Sequence, residues 1–300
     1  MIPFIKQPLL DLPQITDLIS KGVELPIDLR SFETNQPQAG HCMTQVKGSG
    51  MAFDDLRVFQ HGDDQKQIDW RASARSQHTL TRQFLKEQQR SVFFVVDRGA
   101  SMRFGSKARL KVTQAVRLSL WLSGIFLKFD YTIGAASLSP NPQLYPSKTG
   151  HEWVLTLAKA LSKKAPQIES DPLDWPLILT QLLSDVSPGA TLFLISDFHS
   201  LNPSCAPLLS ALAQRFKVHA IHVSDPLERH PQPLLGTELT WHTNSLALTD
   251  QAEIDALKAR HCAHVDQLKT LMNSCSISFA EQCASLDSFT LSQMNAFYDA

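Results

Sequence analysis

The apolar residues of this chain come in short, β-rich runs that stop at acidic or hydroxyl residues, with helical stretches between them. Ser91-Val-Phe-Phe-Val-Val96 is continuously apolar after its serine and ends at Asp97. Thr191-Leu-Phe-Leu-Ile195 repeats the pattern and ends at Ser196-Asp197. A strand that is apolar at every position is covered on both faces, as in a parallel sheet with helices on each side. Further strands are predicted over 131–138, 143–145, 217–223, 238–241 (as an edge strand) and 275–279. Helices are predicted over 107–127, 152–162, 172–186, 204–215, 251–272 and 286–297. This alternation dictates an α/β fold with a doubly wound, mainly parallel sheet.

The first 90 residues break the pattern. They are Pro-rich at the start and polar later, and their strand signals are weak and scattered. Residues 9–19 carry apolar residues at helical spacing, and 36–50, with Pro37, Gly40, Gly48 and Gly50, read as loop. The expected organisation is an irregular, Asp/Arg-rich N-terminal module over 1–90 and an α/β domain over 91–300.

Apolar residues make up 43% of the chain and charged residues 19%, which suits a packed core and excludes a disordered chain. The longest nearly apolar run, Leu118 to Phe129, has twelve residues. A membrane span needs ~20, so no span is expected. Met1 to Leu10 lacks the basic start and apolar run of a secretory signal. The five cysteines, Cys42, Cys205, Cys262, Cys275 and Cys283, are odd in number and form no CxxC pair. A reduced, cytoplasmic protein is the expectation.

The formal charge of −1 hides an asymmetry. From Arg57 to Lys128 there are fourteen basic and five acidic residues; the remainder has fourteen basic and twenty-four acidic. From Arg98 to Phe129 there is no acidic residue. Such a stretch meets an anionic partner surface or the acidic half of its own chain. Nucleic acid is not expected, because it calls for a basic excess over the whole domain.

Ligands of open parallel sheets sit beyond the carboxyl ends of strands, where strand order reverses. Two segments occupy such positions: Asp97-Arg98-Gly99-Ala100-Ser101-Met102 and Ser196-Asp197-Phe198. An Asp, a hydroxyl and a second Asp from a neighbouring strand end make an oxygen-rich cluster that suits a hard ion such as Mg²⁺. The competing reading is that both carboxylates accept hydrogen bonds from helix N-termini and loop amides.

Asp63, Asp64 and Asp69 lie within seven residues, with Arg57, Arg71 and Arg75 nearby. Acids and arginines so placed pin a loop through bidentate pairs, with Trp70 as apolar anchor. The sharper alternative is a two-metal hydrolase, for which His61 is the only obvious neighbouring histidine. No phosphate-binding Gly-x4-Gly-Lys-Ser/Thr loop and no Gly-x-Ser-x-Gly elbow occurs, so neither nucleotide binding nor a hydrolase triad is expected. His261 and His264, three apart on a predicted helix, lack a second ligand pair in sequence and read as a partly exposed helical pair.

Gly48-Ser-Gly50, Phe53, Leu56-Arg57, Gly62-Asp63-Asp64, Ile68-Asp69-Trp70, Ala74-Arg75, Arg82, Glu87, Asp97 and Ser101-Met102 together resemble the family called domain of unknown function 58. The likeness runs from about residue 40 to 110 and continues more weakly through Ile195-Ser-Asp-Phe198 and Asp225-Pro-Leu-Glu228. Many members carry two membrane spans near the start; this chain resembles the short, soluble type. The second half of the pattern resembles the von Willebrand factor A fold and its metal-ion-dependent adhesion site, Asp-x-Ser-x-Ser. Asp97 and Ser101 match, and Gly99 stands where the middle Ser would be. Ser170, in Glu169-Ser170-Asp171-Pro172, is the nearest substitute for the second-loop Thr, and Asp197 matches the third-loop Asp.

The resemblance implies a degenerate Mg²⁺ site at Asp97, Ser101, Ser170 and Asp197. It also implies a non-enzymatic adaptor that works beside a MoxR-type AAA+ ATPase in maturation or assembly of other proteins, through a partner carboxylate that completes the metal shell. Asp63, Asp64, Asp69, Trp70, Arg57 and Arg75 would brace the site or form the docking face. The alternative function is a metal-dependent hydrolase using Asp97, Asp197 and the Asp63/Asp64/Asp69 cluster.

Overall fold

The continuous apolar runs become the middle strands of one six-stranded sheet. The computed structural model describes residues 9–27, 51–60, 68–76, 78–86, 90–107, 109–139, 142–164, 173–241 and 244–289. The chain divides into two compact units, residues 37–89 and the rest. No helix among the described residues is long and apolar enough to cross a membrane.

The chain enters the larger unit with helix α1 (Leu12–Glu24), started by an Asp11–Gln14 capping box with Pro13 in the first turn. The smaller unit follows. It holds an antiparallel ribbon of β1 (Met51–Val58) and β2 (Leu80–Lys86), with the short helix α2 (Trp70–Ser73) between them. Back in the larger unit come β3 (Ser91–Asp97), α3 (Lys111–Lys128), β4 (Thr132–Leu138), β5 (Gln143–Lys148), α4 (His151–Ser162) and α5 (Trp175–Asp185). Then follow β6 (Thr191–Ser196), α6 (Ala206–Arg215), β7 (Lys217–Ser224), α7 (Pro226–Arg229), a hairpin of β8 (Thr237–Trp241) and β9 (Asn244–Leu248), α8 (Gln251–Ser274) and β10 (Ser278–Cys283).

The sheet order is β10-β7-β6-β3-β4-β5, parallel throughout except for the antiparallel edge strand β5. Alternate residues of β3 feed two cores. Val92, Phe94 and Val96 pack with α1, α3 and α4; Phe93 and Val95 pack with α5, α6 and α8. Burying a side chain of this size contributes ~1.5–3 kcal/mol, so a strand that spends every residue on a core is held strongly. The fold is the doubly wound α/β sheet expected from the sequence.

Some boundaries differ. Helix α1 belongs with the larger unit, not with an N-terminal module ending at residue 90. It lies so close on α3 that a Cβ on Gly22 would fall 2.2 Å from the Trp121 carbonyl oxygen, and one on Gly124 would fall 2.2 Å from that of Ile19. Residues 237–241 pair with 244–248 in a separate hairpin and are not an edge of the main sheet. The last strand begins at Ser278, because α8 continues to Ser274 and Ser276 turns the chain at φ 58°. Residues 286–289 run without helix, and the rest of the closing helix expected over 286–297 lies outside the described residues.

The basic stretch is largely spent on the chain itself. Arg109 bonds the carbonyl of Leu286 at 2.6 Å and pairs with Asp287; Arg117 reaches the Asp287 carbonyl at 2.6 Å. Lys128 bonds the Leu25 carbonyl at 2.9 Å, and Arg98 donates to Ser137 and to the Lys163 carbonyl.

Candidate functional site

Strand order reverses between β3 and β6, which are parallel neighbours in the sheet. After β3 the chain crosses to β4 on one side; it returns to lay β6 on the other. Register pairs Val96 with Ile195, so the next residues, Asp97 and Ser196, meet at the carboxyl ends. The Ser196 hydroxyl donates to Asp97 Oδ2 at 2.5 Å, and the Gly99 amide donates to Oδ1 at 2.7 Å. The Ser196 oxygen in turn accepts the Phe198 amide at 2.8 Å. That bond supports a tight turn in which Phe198 takes φ 52°, with its ring buried and stacked on Trp175 at 5.6 Å.

Asp197 is the second carboxylate. Its Oδ1 accepts the Ser101 hydroxyl at 3.2 Å and the His199 amide at 3.1 Å. Its Oδ2 lies 2.9 Å from the Lys111 ammonium, which also reaches Glu228 Oε1 at 2.7 Å. Glu228 is held by its own helix cap: its other oxygen accepts the Asp225 amide at 2.7 Å, and Asp225 caps α7 at the Leu227 amide. Asp225 also accepts the Ser106 amide at 2.8 Å and the Ser106 hydroxyl. The Asp225-Pro-Leu-Glu228 segment thus presents one carboxylate to Lys111.

Environment separates the two acids. Burial, helped by the nearby Asp197 charge, pushes the Asp97 carboxyl up to about 7. Burial acts the same way on Asp197, but the Lys111 ammonium outweighs it and holds that carboxyl below its ordinary value. For Lys111, burial works against the charge, while Asp197 and Glu228 more than offset it and raise the ammonium above the usual lysine value.

A histidine group borders the cluster. His264 Nε2 lies 3.1 Å from the Asp197 carbonyl oxygen, and its ring is 5.8 Å from His199 and 5.9 Å from His222. Burial, reinforced by His264, depresses His222 to about 3, and its Nδ1 is buried with no hydrogen-bond partner. Among the described residues no three His, Cys, Asp or Glu side chains are arranged to hold a metal ion.

The sequence-predicted site residues divide between the units. Asp97, Ser101 and Asp197 share one rim of the larger unit. In the smaller unit, Asp69 caps α2 through the Arg71 and Ala72 amides at 3.1 and 3.0 Å, and Trp70 and Arg75 are exposed. Arg57 lies in β1. Asp63, Asp64 and Ser170 lie outside the described residues. Sequence reasoning missed Lys111, and it placed Ser196 in a candidate segment without giving it a role. One signal for Lys111 was present: a cation in the first turn of a helix opposes the helix dipole and calls for nearby acids.

The profile of the family described as protein of unknown function DUF58 matches residues 55–240, more than half of the chain. The chain belongs to the DUF58 family. Uncharacterized proteins of Mycobacterium tuberculosis and Mycobacterium bovis are each 26% identical to it over 185 residues, 60% of this chain. The chain spans 57% of the length of these curated relatives. The crystal structure of a conserved hypothetical protein BatB from Bacteroides thetaiotaomicron aligns at 11% identity and TM-score 0.38, over 62% of this chain and 98% of that one.

In this DUF58 chain, Asp97, Ser101 and Asp197 as placed do not fit a Mg²⁺ ion. Such an ion needs several oxygens free to coordinate it. Here all four carboxylate oxygens already accept hydrogens from the chain. Gly99 offers no hydroxyl, and burial disfavours the charged form of Asp97. The Lys111 charge adds repulsion: two like charges 4 Å apart repel by about 4 kcal/mol at the effective dielectric of a protein surface. Both aspartates accept loop amides.

Proposed function

We propose that this chain is a non-enzymatic interaction protein that works with a MoxR-type AAA+ ATPase in the maturation or assembly of other proteins. The rim around Asp97, Ser101 and Asp197 is part of its docking face, and its place of action is the cytoplasm. The observation that carries the reading is that both carboxylates are buried and each of their oxygens is already held by a donor of the chain. A general base needs to reach the proton it removes, and here both carboxylates are buried and engaged by the chain's own donors. The cluster therefore shapes a surface.

Each unit by itself offers contacts of the kind partners use. The loop after Asp97 exposes Ala100, Ser101 and Phe104. In the smaller unit, Trp70 is 69% exposed next to the Asp69 cap. Exposed aromatics are frequent anchors of protein interfaces. The ATPase as partner is supported by the resemblance to a family whose members accompany such enzymes.

Affinity capture with the MoxR-type ATPase of the same organism tests the proposal. The wild-type chain retains the ATPase, and Trp70→Ala or the bulky surface change Ser101→Arg weakens capture at least tenfold. Folded variants that still capture it fully would show that the docking face lies elsewhere. Turnover of phosphodiester, phosphomonoester or peptide substrates with Mg²⁺ or Mn²⁺, lost in Asp97→Ala, would replace the adaptor with a hydrolase.

A further inference from the structure

We infer that the Lys111 ammonium is the permanent cation of this rim, taking the part that a divalent ion plays in an adhesion-type site, so that docking here needs no metal. The inference deepens the docking reading and rests on it for its functional meaning.

Four observations carry it. The ammonium bridges carboxylates from two separate segments, Asp197 after β6 at 2.9 Å and Glu228 in α7 at 2.7 Å. Holding acids from different strand ends together is the structural task of a cation. The lysine is 3% exposed and Asp197 is 4% exposed, so the pair does not exchange readily with solvent ions. Lys111 opens α3, where the helix dipole disfavours positive charge, and the pairing with two acids offsets that cost. Finally, Glu228 reaches the ammonium because the Asp225–Glu228 capping box fixes it, and Asp225 is itself tied to Ser106 ahead of α3. The loop before α3 is therefore tied to the short helix after β7 that brings Glu228 to the ammonium.

The tethered charge also accounts for Gly99. With no ion to ligate, a hydroxyl there has no task. The backbone amide instead bonds Asp97, and a Cβ would come within 3.1 Å of Asp97 Oδ1.

Mn²⁺ binding to the full chain, followed by titration calorimetry or electron paramagnetic resonance, tests the inference. The wild-type chain and Gly99→Ser show no saturable Mn²⁺ binding at millimolar concentration. Lys111→Ala, which frees the Asp197 and Glu228 carboxylates, binds Mn²⁺ at least tenfold more tightly than wild type, and adding Asp197→Asn abolishes the gain. If Lys111→Ala does not fold, Lys111→Gln, which keeps most of the length without the charge, is read in the same way. Wild-type binding that Asp197→Asn removes would overturn the inference. So would a folded Lys111 variant that gains nothing. Either result leaves the docking reading standing, whereas failed ATPase capture with no wild-type Mn²⁺ binding overturns docking and leaves the cation assignment intact.

Discussion

The Lys111 ammonium lies 2.9 Å from the Asp197 carboxylate, and both side chains are almost wholly buried. A buried pair of this kind is costly to break from one side, because the remaining charge has neither water nor a partner. Lys111→Met is therefore expected to lower stability by ~3–5 kcal/mol. Lys111→Met combined with Asp197→Asn removes both charges and recovers much of the loss. Urea unfolding of the two variants and of wild type measures this. A double variant as unstable as Lys111→Met would show that the pair is not the main source of the cost.

Asp97 and His222 give the protein opposing pH responses. The Asp97 carboxyl is raised to about 7, so the folded state binds a proton that the unfolded chain releases near pH 4. Its contribution is full at low pH and is lost as pH rises toward 7. Asp97→Asn keeps the acceptor for the Gly99 amide and removes the charge. It is expected to raise the melting temperature at pH 8 and to do little at pH 4. Calorimetry at the two pH values decides; an equal shift at both would sink the assignment.

His222 works in the other direction. It stays neutral when folded because burial holds it down to about 3, whereas the unfolded chain takes up a proton near pH 6.5. Its contribution is present above pH 6.5 and is lost as pH falls toward 3. His222→Phe removes the titration and the unpartnered Nδ1. The variant should resist unfolding at pH 5 better than wild type and match it at pH 8. Thermal scans at both pH values read the difference.

At Gly22 and Gly124, helices α1 and α3 meet with no room for a side chain between their backbones. Gly124→Ala places a methyl group 2.2 Å from the Ile19 carbonyl oxygen, so α1 must lift. Overpacking of this kind costs ~1–3 kcal/mol. Gly22→Ala should cost a similar amount, and the double variant less than the sum, since both act on one interface. Denaturant unfolding gives the energies. Faster proteolysis near residues 25–27 would report the lifted helix.

The Ser196 hydroxyl joins two loops by donating to Asp97 and accepting from Phe198. Ser196→Ala leaves a buried acceptor and a buried amide short of a partner, which costs ~1–3 kcal/mol each when unsatisfied. Equilibrium unfolding should show a loss of about 2–6 kcal/mol for the two groups together, with secondary structure unchanged by circular dichroism.

The parts of this architecture that were legible in the sequence are those where one residue carries the whole signal. Phe93, Phe94, Val95 and Val96 read as a strand covered on both sides because no polar residue interrupts them. Asp97 and Asp197 read as site residues because they end such strands. The β1–β2 ribbon was hidden, since Leu80–Lys86 mixes polar and apolar residues without a clean two-residue period. Lys111 was hidden for a different reason. Its acids stand 86 and 117 positions further along the chain, and a lysine opening a helix otherwise reads as solvated. The placement of α1 was equally non-local, because only the three-dimensional meeting of Gly22 and Gly124 shows which body it joins.

That last placement bears on how the protein is made. Helix α1 leaves the ribosome before the smaller unit, with Ile15, Leu18 and Ile19 ready for burial, yet the helix that covers them begins only at Lys111, after the whole of the smaller unit has been synthesised. Throughout that interval the newborn chain trails an oily, unclaimed face. The order of translation thus sets a period of vulnerability that the finished molecule no longer shows.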